Sequence, residues 1–182
     1  MKRIPFIVLI AIMVCGAVAA AQMPQPRQPG AEEKNLAYFT GTWTLDGNLK
    51  AMGQNGKFTE TEHNEFLAGG FYLISHSEGT SPMGKDVQLA IFGYDPEKKV
   101  YTYASYTNMG QAEHATGTFD GKTWTWSSEL SMGGQTAKTH FIITEVSPTA
   151  YDFKFEISQD GNSWTSMMDG KATKSGGTAT KK

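Results

Sequence analysis

The sequence predicts an all-β fold: an antiparallel meander of about ten strands closed into a barrel, preceded by a short N-terminal helical turn. The first observation behind this is a period of two. Trp43 and Leu45 alternate with Thr44 and Asp46, and Tyr151, Phe153, Phe155 and Ile157 alternate with Asp152, Lys154, Glu156 and Ser158. Only a strand sends two such sets to opposite faces. The second is the brevity of the connections, which leave no room for crossover helices, so successive strands pair antiparallel. The third is a matter of edges. A flat meander exposes two of them, whereas closure satisfies their hydrogen bonds and gives one face a shared interior. A two-sheet sandwich is the rival arrangement.

The chain opens with the order of a Sec-type signal peptide over residues 1–21. Lys2 and Arg3 precede an apolar run from Ile4 to Val14, followed by the small residues Gly16, Ala17, Ala19, Ala20 and Ala21. Cleavage after Ala19 or after Ala21 fits the small-x-small rule. The run falls well short of the roughly 20 residues that cross a bilayer, and no other segment approaches that length, so no stable transmembrane segment is expected. The expected location is outside the cytoplasm, periplasmic or extracellular. Lipidation at Cys15 is disfavoured, because Val14 stands where a small residue normally precedes a lipid-modified cysteine. Without the signal the chain has no cysteine, hence no disulfide framework and no thiol nucleophile.

Residues 22–31 hold three prolines among glutamines and read as an extended tether. Residues 32–174 form a single β-barrel domain, and residues 175–182 a flexible tail of Gly, Thr, Ala and Lys. Within the domain, Glu32 to Phe39 suit one or two helical turns. Leu36 and Phe39 share a face, and Glu32 and Glu33 favour a helix start. Strands are expected over residues 42–50, 57–67, 70–78, 86–94, 99–107, 112–119, 122–131, 136–146, 149–158 and 163–173. Turn chemistry separates them at Asn55-Gly56, Gly69-Gly70, Asp95-Pro96-Glu97-Lys98, Asp120-Gly121, Gly133-Gly134, Ser147-Pro148 and Asp160-Gly161.

Charge narrows the functional classes. Without Lys2 and Arg3, 14 basic side chains face 18 acidic ones, and the remaining arginine is Arg27 in the tether. No basic patch with interleaved aromatics exists, so no nucleic-acid partner is expected.

The stretch Leu36-Ala37-Tyr38-Phe39-Thr40-Gly41-Thr42-Trp43 resembles the opening of lipocalins, fatty-acid-binding proteins and their calycin relatives. There a helical turn leads through Gly-x-Trp into the first strand, and the tryptophan plugs the closed end. The whole domain is more similar to the uncharacterised bacterial domain-of-unknown-function family 1579. The similarity runs through that opening, Glu65-Phe66-Leu67-Ala68-Gly69-Gly70-Phe71, Phe92-Gly93-Tyr94-Asp95 and the strands from Phe153 to Met168, and spans nearly all of residues 34–173. It implies a calycin-like barrel with Gly41 and Trp43 in structural roles, and brings no catalytic set. Thr44-Leu45-Asp46-Gly47 departs from the Gly-x-Gly of haem-binding nitrobindin relatives. The lack of any arginine after residue 27 departs from fatty-acid-binding proteins, whose buried arginines grip the ligand carboxylate.

The histidines, His63, His76, His114 and His140, fall in four different expected strands without zinc-site spacing, so no metal is assigned. His140 is the residue for a haem-binding alternative; otherwise no cofactor is expected. Glu60, Glu62 and Asn64 share one face of the second strand with His63 opposite, and read as the wet face of a half-buried strand rather than an acid–base pair. No catalytic residue is assigned. Aromatic side chains supply the candidate ligand-binding set: Tyr72, Tyr101, Tyr103, Trp124, Trp126, Phe153 and Phe155. Met52, Met83, Met109 and Met132, each beside a glycine in a turn region, suit the rim of a ligand entrance. The leading expectation is an exported, non-enzymatic barrel holding a small, mainly apolar ligand. The alternatives are a structural or protein-interaction barrel with a filled core, and a cavity enzyme or haem-binding barrel. Oligomeric state is left open.

Overall fold

The computed structural model describes residues 27–51, 53–132 and 134–175. The expected signal peptide, the first part of the tether, Met52 and the tail beyond Ser175 lie outside the described residues.

Ten antiparallel strands form a closed barrel: β1 (Gly41–Ala51), β2 (Gln54–Phe66), β3 (Leu73–Ser81), β4 (Gly84–Asp95), β5 (Val100–Thr107), β6 (Ala112–Phe119), β7 (Thr123–Met132), β8 (Gln135–Ser147), β9 (Ala150–Ser158) and β10 (Thr165–Lys174). Each strand pairs with its sequence neighbour, and β10 returns to β1 in a register running from Trp43 opposite Lys174 to Leu49 opposite Met168. No open sheet edge remains, which decides between barrel and sandwich. A helix, α1 (Ala31–Asn35), continues into a 3₁₀ turn over Leu36–Phe39, where the helical pattern places it. Among the described residues no helix is long and apolar enough to cross a membrane.

Strand ends shift from the sequence reading by up to three residues, and two of the shifts have a clear physical reason. Asn55-Gly56 is not a turn: Lys50 pairs with Asn55 and Leu49 with Gly56, and the chain reverses between Ala51 and Gln54. Gly56 answers a different need, since a Cβ there would stand 2.6 Å from Pro82 Cγ in the neighbouring hairpin. The third strand begins at Leu73 rather than residue 70. The preceding segment is a closed loop in which Leu67 N–H donates to Tyr72 O and Gly70 N–H to Leu67 O, both at 2.9 Å.

The helical segment seals one end of the barrel. Leu36, Phe39 and Trp43 are buried there with Tyr151 and Trp124. The Trp43 indole N–H donates to Phe39 O at 2.8 Å, so the plug is satisfied as well as packed. Gly41 enters β1 at φ 96°, and a Cβ on it would approach Lys174 Cε to 2.9 Å. The Lys174 ammonium lies 5.3 Å from the centre of the Trp43 ring. Tyr38 spans the seal, its hydroxyl 2.9 Å from the Ser147 and Ala150 carbonyl oxygens that accept from it. Burial, reinforced by the Glu145 charge, pushes that hydroxyl up to about 12. The end of the tether joins this cap. Arg27 pairs with the buried Glu33 carboxylate, which also accepts the Gly30 N–H at 2.8 Å.

The seam between β1 and β10 depends on two glycines facing each other. Gly47 pairs with Gly170, and the rings of Phe58 and Phe153 fold over them from the flanking strands. A Cβ on either glycine would come within 2.4 Å of a backbone carbonyl oxygen.

Candidate functional site

Strand parity places the site. On β2, Phe58, Glu60, Glu62 and Asn64 face the lumen, while Thr59, Thr61 and His63 take the other face. The wet-face assignment of Glu60 and Glu62 is therefore corrected: the closed barrel turns that face inward. The signal that identifies it is Phe58 and Phe66, which share parity with the glutamates and bracket them. The same parity runs through Asp86, Gln88, Ala90 and Phe92 on β4.

The lumen encloses about 310 Å³. Counting round the ring of ten strands, β2, β3 and β4 lie opposite β7, β8 and β9. The first wall is polar and acidic, with Glu60, Glu62, Asn64, Ser75, Asp86 and Gln88. The facing wall is mainly apolar, with Trp126, Phe141, Ile143, Tyr151 and Phe155 beside the hydroxyl of Thr139, and Phe92 and Tyr103 carry the aromatic surface round to β4 and β5. Ring centres of Phe92 and Trp126 are 5.4 Å apart, and those of Phe92 and Tyr103 are 5.0 Å apart.

The electrostatics follow from enclosure. Burial first, and then repulsion from Glu60, push the Glu62 carboxyl up to about 7, although a hydrogen bond from Asn64 pulls the other way. Burial also raises Glu60, partly offset by Ser77 and reinforced by Asp86. The Tyr103 and Tyr151 hydroxyls are held neutral by burial. Glu113, nearer the open end, accepts from Ser128 Oγ at 2.6 Å. Chemically, Glu62 can hold or release a proton at neutral pH, but its side-chain hydrogen bond runs to Asn64 at 3.2 Å rather than to a hydroxyl or an imidazole.

Among the described residues, three buried side-chain polar atoms have no hydrogen-bond partner: Asn64 Oδ1, Asp86 Oδ1 and Trp126 Nε1. All three belong to side chains lining this lumen.

The structure divides the aromatic set expected from sequence. Tyr103, Trp126 and Phe155 line the lumen. Tyr101 and Trp124 pack under the seal, where the Tyr101 hydroxyl accepts from Asn35 Nδ2 at 3.0 Å and Trp124 Nε1 donates to Glu145 Oε1 at 2.8 Å. Phe153 is buried in the wall over Gly170. Tyr72 is exposed in the loop before β3, its ring against Gly93. His140 does not face the lumen: its neighbour Phe141 does, while the imidazole stacks on Trp164 with ring centres 3.7 Å apart. At the open end, exposed Met83 and Met109 border a depression shared with Leu49, Glu60, Asp86 and Met168. Met52 and the Met132 side chain lie outside the described residues.

Residues 28–174 match the family model described as a protein of unknown function, DUF1579. Comparison with curated proteins gives no match. Among solved structures, one described as EF1p2_mFAP2b bound to DFHBI aligns at 12% identity with a TM-score of 0.44, covering 79% of this chain and 98% of the other. A redesigned β barrel, b11L5F_LGL, aligns at 13% identity with a TM-score of 0.34, covering 77% of this chain and 94% of the other.

Proposed function

The chain belongs to the DUF1579 family of proteins of unknown function, and from its lumen we propose that it is an exported, non-enzymatic protein that binds one small, mainly apolar ligand inside the barrel. The observation that carries this reading is an enclosed volume of about 310 Å³ whose lining includes buried polar atoms without protein partners. Small-molecule sites start at about 300 Å³ and combine apolar walls with a few placed polar groups. A barrel filled as a scaffold would occupy that space with side chains, since interiors pack densely. The apolar wall supplies the binding area, and the open end with Met83 and Met109 supplies the way in.

Export is supported by Lys2, Arg3, the Ile4–Val14 run and the small residues up to Ala21. N-terminal sequencing of protein recovered outside the cytoplasm should begin at Ala20 or Gln22, and an intact leader on that protein would contradict export.

Binding is tested by titrating the purified protein with octanol and following tryptophan emission, to which Trp126 in the lumen contributes. A saturable change is expected. Ala90→Phe, which projects a ring into the lumen from a buried position, should abolish it while leaving the β-type circular dichroism intact. Unsaturable binding, or binding that Ala90→Phe leaves unchanged, would overturn the reading.

A further inference from the structure

We propose that the ligand is an organic ammonium: a small amphiphile whose protonated amine rests against Glu60, Glu62 and Asp86 while its apolar body lies on Phe92, Trp126 and Phe141. This rests on the binding reading and assigns its ligand class.

Charge is the first argument. Among the described residues, the lumen is lined by four carboxyl side chains, Glu60, Glu62, Asp86 and Glu113, and by no lysine, arginine or histidine. Carboxylates drawn from water are costly unless a cation or hydrogen-bond donors compensate them. Lys85, which borders the depression at the open end, is exposed and paired with Glu78 at 3.1 Å. A cationic guest is therefore favoured and a carboxylate guest is repelled, the reverse of an arginine-anchored fatty-acid site.

The second argument is independent of the acidic cluster. Asn64 is 6% exposed, and its amide nitrogen is committed to Phe39 O at 3.1 Å and to Glu62 Oε2 at 3.2 Å. Both partners are acceptors, so they fix which end of the amide is oxygen. Oδ1 is left as a buried acceptor without a donor. An ammonium carries N–H donors on one small centre, and the Asn64 acceptor lies beside the Glu62 carboxylate that would share them.

The third argument is the opposition of the two walls. A guest that satisfies both must be charged at one end and apolar at the other. The apolar wall is what asks for an organic cation, since a bare ion would leave Trp126, Phe141 and Ile143 without a partner. Trp126 Nε1–H, the unpartnered donor of the apolar wall, further accommodates an oxygen acceptor on the body of the guest.

Ionisation of the acidic wall adds a pH signature. The titratable groups facing Glu62 are Glu60 on its own strand, Asp86 on β4, Tyr103 on β5, Glu113 on β6 and Tyr151 on β9. Both tyrosines stay neutral, so the change in lumen charge near neutrality comes from carboxyls, and amine affinity rises as they ionise.

The experiment is isothermal titration of the purified protein with octylamine, octanol and octanoate, which share one chain and differ in head charge. Octylamine should bind about tenfold or more tighter than octanol, and octanoate weakest. Octylamine affinity should rise several-fold between about pH 5.5 and pH 8 while octanol affinity stays level. Glu60→Gln with Glu62→Gln should cost the amine about tenfold or more and remove its advantage over octanol. Equal affinity for amine and alcohol, or an amine affinity indifferent to both pH and the double substitution, would overturn the ammonium assignment and leave the binding reading standing. Failure of all three compounds to saturate would overturn both. Should the double variant not fold, the order of affinities and the pH dependence of the unsubstituted protein still decide.

Discussion

Glu62 is enclosed by the lumen wall, and burial together with the Glu60 charge raises its carboxyl from the ordinary range near 4.5 to about 7. The folded state therefore holds this proton more tightly than the unfolded chain does. Its contribution to stability is fully present below about pH 4.5 and is lost as pH rises through 7. The upper bound is roughly 3 kcal/mol, reduced by solvent within the lumen. Glu62→Gln should accordingly leave stability unchanged near pH 4.5 and raise it at pH 8, as urea unfolding at the two pH values will show. Trp43 represents the opposite kind of residue, one whose burial is compensated throughout. Trp43→Phe removes the bond to Phe39 O and opens space in the seal, at a cost of about 2 kcal/mol in the same assay.

At the scale of elements, the β1–β10 seam is the pairing on which closure depends, and Gly47 and Gly170 are its tightest point. Gly170→Ala would set a Cβ 2.4 Å from Asp46 O and 2.5 Å from the Phe153 ring. A loss of about 2 kcal/mol or more is expected, with amide exchange accelerating first in β1 and β10. The strands themselves were legible because each carries period-two patterning between turn formers, and all ten appear with ends shifted by no more than three residues. Asn55-Gly56 misled for a physical reason: the dipeptide suits a hairpin turn, but here Gly56 makes room for Pro82, a contact invisible until the next hairpin is in place.

For the whole molecule, closure makes the pairing of β10 with β1 a condition for every other strand's protection. A chain ending after Gly161, without β10, should lose the cooperative unfolding transition and bind a hydrophobic dye, because β1 and β9 both become open edges. The lumen was less legible than the barrel. Tyr103, Trp126 and Phe155 stand out by size, whereas the acidic wall hides in the middle of a strand that is polar there on both faces. Glu60 and Glu62 alternate with Thr59, Thr61 and His63, so the contrast that sets the inward face lies only in Phe58 and Phe66, which bracket them. Register across strands is what assembles Glu62, Ser77 and Gln88 into one row, and register is a property of the sheet rather than of any segment.

The sealed end has a further consequence in the placement of the chain's ends. The strand count is even and directions alternate, so Gly41 at the start of β1 and Lys174 at the end of β10 emerge on the same side, joined where Ser175 N–H donates to Thr42 O at 2.8 Å. The hairpins from Ala51 to Gln54 and from Ser81 to Gly84 lie at the far side with Met83 and Met109. A carrier, bead or surface linked beside Gly41 or Ser175 thus holds the barrel by its floor, like a cup fixed at its base, and leaves the opening turned toward whatever diffuses past.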